Sequence, residues 1–306
     1  MGEPEISPPK PNARVHVALF SVQIAFATLS IVGKDALRTF EPTTLAFLRM
    51  AGTAAVLLAI HAFKLGVPRV PATDALKIFG FAMLGLVLNQ LLFLMGLRHT
   101  SPIHATLLTC TIPVFTAVIA ILLGREKPTA MGLGGVLVSF SGIAYLVGTD
   151  GLKAGPDAVV GDLLIVLNAL SYAVYLVLVR NIIEKHGTLT VVTLAFVLGS
   201  LVTAPLGAPA LFETRGSIPV DAWLLVGFLV LVPTLYTYLM NAWALRRAPS
   251  SLVAVYIYVQ PIATATFNKL LNRGGPSSNV YVAALLVFAG ILLVTRRGGP
   301  QILGVR

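Results

Sequence analysis

Ten stretches of apolar residues, each closed off by charge, proline or glycine, run through this chain near 15–34, 43–63, 75–97, 103–123, 130–148, 161–180, 189–208, 222–245, 250–271 and 279–296. A helix needs about 20 such residues to cross a bilayer. Strands of a membrane barrel would instead alternate over about ten residues, and no such alternation is present. The expected fold class is therefore all-α and polytopic, with ten transmembrane helices. Of the 306 residues, 57% are hydrophobic and 11% charged, too little polar surface to clothe a soluble globule and enough to exclude a water-soluble enzyme. Ten spans use roughly 200 positions, so the connections between them are short.

The ends of the chain read differently from its middle. Residues 1–14 carry Pro4, Pro8, Pro9 and Pro11 and few apolar side chains, the composition of a disordered tail. Ala25-Phe26-Ala27 superficially resembles a signal-peptide cleavage site, but the apolar run continues past it and nine more follow. The net charge is +10, which in a membrane protein marks loops beside anionic lipid rather than a nucleic-acid partner. Assigning the cations to alternate sides puts fourteen on the side of the N-terminus and seven on the other, with Arg49 inside a span. That bias places both termini in the cytoplasm. Cys110 stands alone, so neither a disulfide scaffold nor a cysteine zinc site is expected. The loops hold no glycine-rich phosphate loop, metal cluster or nucleophile–base set; no cofactor, metal or catalytic residue is expected.

Self-comparison divides the chain. Gly96-Leu97-Arg98 matches Ala244-Leu245-Arg246 at an offset of 148, and the same offset sets Pro113 on Pro261 and Ser141-Gly142-Ile143 on Ala289-Gly290-Ile291. A shift of 146 sets Phe26 on Tyr172 and Lys34 on Arg180. Each half then holds five helices, and because five is odd the second half enters the membrane from the opposite side, an inverted repeat. The expected organisation is a tail at 1–14, a first repeat at 15–148, a linker at 149–160, a second repeat at 161–297 and a tail at 298–306. Proline in a helix removes a donor and frees the carbonyl four residues back. Pro113 and Pro261 thus free the carbonyls of Thr109 and Ile257 near mid-span, either as packing kinks or as gating elements beside a cavity.

Pro42-Thr43-Thr44-Leu45-Ala46-Phe47-Leu48-Arg49 enters the second span, and Pro113-Val114-Phe115 leads to Leu122-Leu123-Gly124-Arg125-Glu126-Lys127-Pro128 after the fourth. Gly135 to Gly142, Gly161-Asp162-Leu163-Leu164 and Gln260-Pro261-Ile262 follow in order, while Asn272-Arg273-Gly274 stands where a Gly-Glu would follow span nine. Over residues 15 to 297 this pattern resembles the drug/metabolite transporter superfamily, in its ten-helix EamA-type branch. The resemblance implies a secondary transporter that works by alternating access around a central cavity, in the cytoplasmic membrane of a bacterium.

A polar group buried in hydrocarbon without a partner costs several kcal/mol, so mid-span polar side chains face the bundle interior or water. The substrate-binding candidates are Gln23 in span one, Asn89 and Gln90 in span three, and Thr109 in span four. Asn168, Tyr172 and Tyr175 share one face of span six; Tyr236 and Asn241 lie in span eight, and Tyr256 and Gln260 share a face in span nine. Amides and rings without fixed charge suit a small neutral, zwitterionic or cationic solute such as an amino acid, amine or drug-like metabolite. Arg49 either binds a substrate carboxylate or a partner carbonyl or, as the reading preferred here, snorkels to the interface or caps a loop. No Asp or Glu lies near the middle of a span, and His104 reads as interfacial. Facilitated diffusion and exchange therefore stand beside proton antiport.

Gly135, Ser139, Gly142 and Gly290 form a small-residue ladder that serves packing within a protomer or a dimer seam; monomer and homodimer both remain open. Two alternatives accompany the transporter reading. An organophosphate or nucleotide-sugar exchanger shares the superfamily but asks for several cations at the cavity. A polytopic membrane enzyme acting on lipid-linked substrates asks for clustered carboxylates or histidines, which the scattered acids do not form.

Overall fold

The computed structural model of the protein describes residues 13–123, 129–151, 154–213, 218–248, 253–254 and 256–295. Both expected tails apart from Ala13 and Arg14, the Gly124 to Pro128 motif, part of the linker, and the loop cations Lys153 and Arg215 lie outside the described residues.

Among the described residues every regular element is helical, and eight helices are long and apolar enough to cross a bilayer. They are α1 (Ala13–Ala36), α2 (Pro42–Leu65), α3 (Ala72–His99), α4 (Pro102–Ile119), α5 (Ala130–Asp150), α6 (Pro156–Leu178), α7 (Thr188–Leu211) and α8 (Val220–Leu245). Two further helices follow, α9 (Val259–Leu270), led in by a 3-10 turn at Tyr256–Tyr258, and the apolar α10 (Ser278–Thr295). A helix is what these runs must form, because in hydrocarbon the backbone satisfies its own polar groups. Local signals set the ends. Pro42, Pro102 and Pro156 each sit in a first turn, where a missing N–H costs nothing. Ser101 and Thr129 cap α4 and α5 by accepting from the backbone N–H of His104 and Gly132, both at 3.1 Å. Gly66, at φ 78°, ends α2 in a conformation that L side chains rarely adopt.

Three helices are interrupted at depth. Residues Met83–Leu88 of α3 and Leu231–Tyr236 of α8 are wound as π-helix, at the same 148-residue spacing that separates Ser139 from Val287. In α4 the winding tightens at Cys110 and Thr111, whose N–H groups bond three residues back to Leu107 and Leu108 at 3.1 Å, before a new segment starts at Ile112. Pro113 and Pro261 therefore lie in the first turns of fresh helical segments, not in the middle of continuous ones. This corrects the expected kink: the chain breaks ahead of each proline, where the ring's lost donor is harmless. The carbonyl of Ile257 is approached by the Cys110 thiol, Sγ to O 3.9 Å.

The principal helix pairs join the chain before Gly151 to the chain after it: α5 with α10, α2 with α7 and α3 with α6. Small residues set the approach. A Cβ on Gly96 would stand 2.7 Å from the carbonyl oxygen of Gly161, and one on Gly142 would stand 3.0 Å from that of Ala283. Across α2 and α7 the contacts are reciprocal: Thr44 donates to the carbonyl of Gly207 at 3.0 Å, and His61 Nε2 meets Thr190 Oγ1 at 3.1 Å. Thr190 stands to Thr44, and Gly207 to His61, at the spacing that separates Tyr172 from Phe26.

Ion pairs fix the direction of each helix. At one end of the bundle, the far end, Arg273 after α9 makes a bidentate pair with Asp35 of α1 at 2.9 and 2.8 Å, and Thr100 after α3 donates to Asp162 near the start of α6. At the near end, where α1 begins, Asp74 of α3 meets Lys185 at 2.6 Å and His186 at 2.7 Å on the short helix Arg180–His186 after α6. Helices α1 and α6 thus run in opposite directions.

Candidate functional site

A cavity lies where α1, α3, α4, α6, α8 and the α9 segment meet, with α2 contributing one side chain. The space open to the centre of a water molecule is about 60 Å³, against roughly 10–15 Å³ for a single water. It holds several waters or part of a small solute.

The interruptions shape its wall. π-Winding widens a turn and leaves carbonyls in search of donors, and side chains of α6 and α8 supply them. Ser171 donates to Leu84 O at 2.7 Å, Asn168 Nδ2 to Asn89 O at 2.6 Å and Tyr238 to Gly85 O at 3.0 Å. Gly85 is required here, because the Tyr175 ring lies flat against its Cα where any Cβ would collide. On the opposite wall, Gln260 Nε2 donates to Gln23 Oε1 at 2.6 Å, and both side chains are buried.

Eight of the eleven expected binding residues line this space: Gln23, Asn89, Gln90 and Thr109, with Asn168, Tyr172, Asn241 and Gln260. The other three do not. Tyr175 packs on Gly85 behind the wall. Tyr236 is 37% exposed and shares a 2.6 Å hydrogen bond with Ser21 on the outside of the bundle. Tyr256 meets His16 Nδ1 at 2.6 Å nearer the end. Sequence position alone does not separate them, since one residue of slip turns a side chain through about 100° of helix. Phe26 and Phe93 line the cavity as well, and give it apolar faces beside the amides.

The residue misread from the sequence is Arg49. It neither snorkels nor caps a loop: it is 1% exposed, lines the cavity from α2, and donates through Nε to Thr234 Oγ1 at 3.1 Å. Thr234 sits in the π-helical stretch of α8, which was not visible in the pattern of apolar residues. No Asp or Glu among the described residues pairs with the guanidinium, and its Nη1 makes no hydrogen bond. Gln90 Oε1 and Asn241 Oδ1 are likewise buried without a hydrogen-bond partner, while the Gln90 amide faces the Tyr238 hydroxyl and Asn241 Nδ2 donates to Tyr172 at 3.3 Å. Unpaired buried polar atoms are costly, and a buried unpaired cation more so. Their convergence on one cavity gives it donors and acceptors with nothing yet to bond.

Residues 14–148 and 159–296 each match the model of the EamA-like transporter family. An uncharacterized transporter of Archaeoglobus fulgidus is 26% identical over 94% of this chain and 99% of its own length. The uncharacterized transporter YyaM of Bacillus subtilis is 22% identical over 92% of this chain and 93% of its own. A protein of Streptantibioticus cattleyicolor named as a probable terminal-alkyne amino-acid exporter is 27% identical over 80% of this chain and 81% of its own. A crystal structure of a protein 21% identical shares the fold, with a TM-score of 0.66 over 93% of this chain and 98% of that one.

Proposed function

Because this chain belongs to the EamA-like transporter family, we propose that it is a secondary transporter carrying a small amphipathic carboxylate, foremost an amino-acid zwitterion, by alternating access of the central cavity. The observation that carries this reading is the Arg49 guanidinium, buried at the cavity with Nη1 unbonded and no acidic partner. Guanidinium and carboxylate form charge-assisted, often bidentate pairs, so a carboxylate is the group this wall accepts. Gln90 and Asn241 supply unpaired acceptors for an ammonium group, and the rings of Phe26, Phe93 and Tyr172 offer faces for an apolar side chain or a cation. A solely cationic solute is repelled by Arg49. A phosphate or nucleotide sugar asks for more than this one lining cation. The exporter relative from Streptantibioticus cattleyicolor is named for an amino acid, which agrees with the same chemistry.

The architecture we infer is ten crossings in two inverted repeats, 15–148 and 161–297, rocking about the cavity with Pro113 and Pro261 as gating positions. Its supports are the 148-residue spacing of the two π-helical stretches and the reciprocal contacts of Thr44 and His61. The cation bias supports placing the near end, with both termini, on the cytoplasmic side, and the family resemblance supports the inner membrane of a bacterium.

The test is a thermal-shift panel on the purified protein with the common L-amino acids and their carboxamides, followed by counterflow in proteoliposomes. A shift by at least one amino acid that its carboxamide fails to give, with counterflow of that amino acid, is the expected result. Equal shifts by acid and amide would overturn the carboxylate reading, and absence of any solute flux would overturn transport.

A further inference from the structure

The far end of the bundle holds a group of titratable side chains that the cavity does not use. His104, in the first turn of α4, points Nδ1 at Asp162 Oδ2 of α6 at 3.4 Å and Nε2 at Asp150 Oδ2 of α5 at 3.6 Å. Asp162 is fully buried, and the side chains of His104 and Asp150 are 13% and 17% exposed. Among the described residues, every other hydrogen bond of the two carboxylates is with a donor that carries no charge. Thr100 donates to Asp162; Ser277 and Asn279, at the start of α10, donate to Asp150, the latter at 2.5 Å.

The neighbouring charges are committed elsewhere. Lys34 of α1 donates to the carbonyls of Leu97, Arg98 and Thr100 at 2.7, 2.9 and 2.8 Å. Arg98 pairs with Glu41, and Arg273 with Asp35. His99, the remaining titratable group on the end of α3, is exposed. Among the described residues His104 is thus the cationic side chain within ion-pair reach of both acids.

A neutral imidazole has one N–H and one lone pair, whereas both nitrogens of the charged ring donate. With an acceptor-only carboxylate before each nitrogen, the arrangement is complementary to the charged ring: a neutral one turns a lone pair toward an anion. We propose that His104, between Asp150 and Asp162, is the binding site of a coupling proton, whose uptake fastens the far end of the bundle and whose release lets it part. Fastening is the physical consequence of where the groups sit. His104, Thr100 and Asp150 belong to the chain before Gly151, and Asp162, Ser277 and Asn279 to the chain after it, so the imidazolium ties the two together. Once the proton leaves, two buried carboxylates face each other across an uncharged ring, and hydration by opening relieves them.

The near end also brings a histidine to a carboxylate across the two parts of the chain, His186 to Asp74 at 2.7 Å, but there Lys185 holds the same carboxylate at 2.6 Å, so that link keeps a cation whatever the ring carries. The shift that sets Phe26 on Tyr172 sets His16 on Asp162. There α1 meets α9 through His16 and the Tyr256 hydroxyl at 2.6 Å, a partner that both donates and accepts and serves a neutral ring equally well. Uptake and loss of one proton therefore bear on the far-end tie, whereas the near-end tie at Asp74 keeps its Lys185 cation throughout. Far-end closure on a proton taken from the water outside it makes solute and proton cross in opposite directions.

This proposal rests on the alternating-access reading, and a measurement without solute keeps the two apart. Hydrogen exchange of the protein in lipid nanodiscs, corrected for the intrinsic rate, is compared at pH values from about 8 down to about 5.5, the range over which histidine charges. Protection of the far-end turns of α4 and α6 is expected to rise several-fold on acidification in the wild type, to lose its pH response in His104→Gln, and to respond more weakly in Asp162→Asn. Protection that ignores pH in the wild type, or that responds in His104→Gln as in the wild type, overturns the proposal. In proteoliposomes, radiolabelled mixed L-amino acids are expected to accumulate in the acidic compartment. Counterflow without such accumulation sinks the coupling site alone; no flux of any kind sinks the solute reading and leaves the proton site to the exchange measurement.

Discussion

Gln260 of α9 donates to Gln23 of α1 across 2.6 Å at the buried wall of the cavity, so each amide satisfies part of the other. Gln260→Leu leaves the Gln23 oxygen unpaired and should cost about 1–3 kcal/mol, read as a lower melting temperature in detergent. The double variant with Gln23→Leu should recover much of that loss, because both partners become apolar, while solute flux stays depressed. A double variant no more stable than Gln260→Leu would count against a paired role.

Arg49→Gln separates binding from stability. Removing an uncompensated buried cation is expected to leave the melting temperature of the solute-free protein equal or higher. The solute-induced shift should vanish, with roughly 2–5 kcal/mol lost in affinity. Arg49→Lys should not restore it fully, since an ammonium lacks the planar fork. A solute-induced shift surviving in Arg49→Gln would remove the guanidinium from the binding wall.

Tyr172→Ala and Asn241→Ala remove a ring and an amide that meet at 3.3 Å beside the cavity. Each should weaken solute binding by about tenfold or more, the scale of a buried hydrogen bond and its ring, without preventing insertion. Tyr236→Phe, on the exposed side of α8, should leave flux within twofold of wild type. Assay of the three side by side checks the cavity assignment.

Pro261→Ala acts where the helix begins rather than within it. It should change stability by less than about 1 kcal/mol yet alter the counterflow rate, because an N–H restored there lets α9 extend back through the 3-10 turn at Tyr256–Tyr258. An unaltered rate would assign Pro261 a packing role only.

The fold was legible to the extent that hydrocarbon dictates it. Runs of about twenty apolar residues specify helices almost regardless of their detail, and the two halves that the match of Pro113 to Pro261 aligns are the two stretches that match the family model. What the pattern did not carry is rotation and winding. Tyr236 and Tyr238 stand two residues apart in one helix, yet one is on the outside of the bundle and the other lines the cavity; the π-helical stretch that ends at Tyr236 has no apolar signature. Arg49 was misplaced for the same reason, since its hydrogen-bond partner Thr234 lies in that stretch, far away in sequence. The His104 cluster escaped notice because its two acids lie 46 and 58 residues from the histidine, at helix ends where acids and histidines ordinarily meet water.

Gly142 of α5 lies against Leu286 and Val287 of α10, and Gly290 of α10 against Gly135 and Ser139 of α5, the same embrace made twice. Gly290→Ala, whose methyl would meet the Ser139 nitrogen at 2.6 Å, should destabilise by about 1–3 kcal/mol. Gly134→Ala, with nothing within 4 Å, should be neutral or gain up to about 1 kcal/mol. Neither helix contributes to the cavity wall. A seam locked backbone to backbone has no slack to slide, so α5 and α10 hold each other in one register, as a single stiff post at the edge of the bundle.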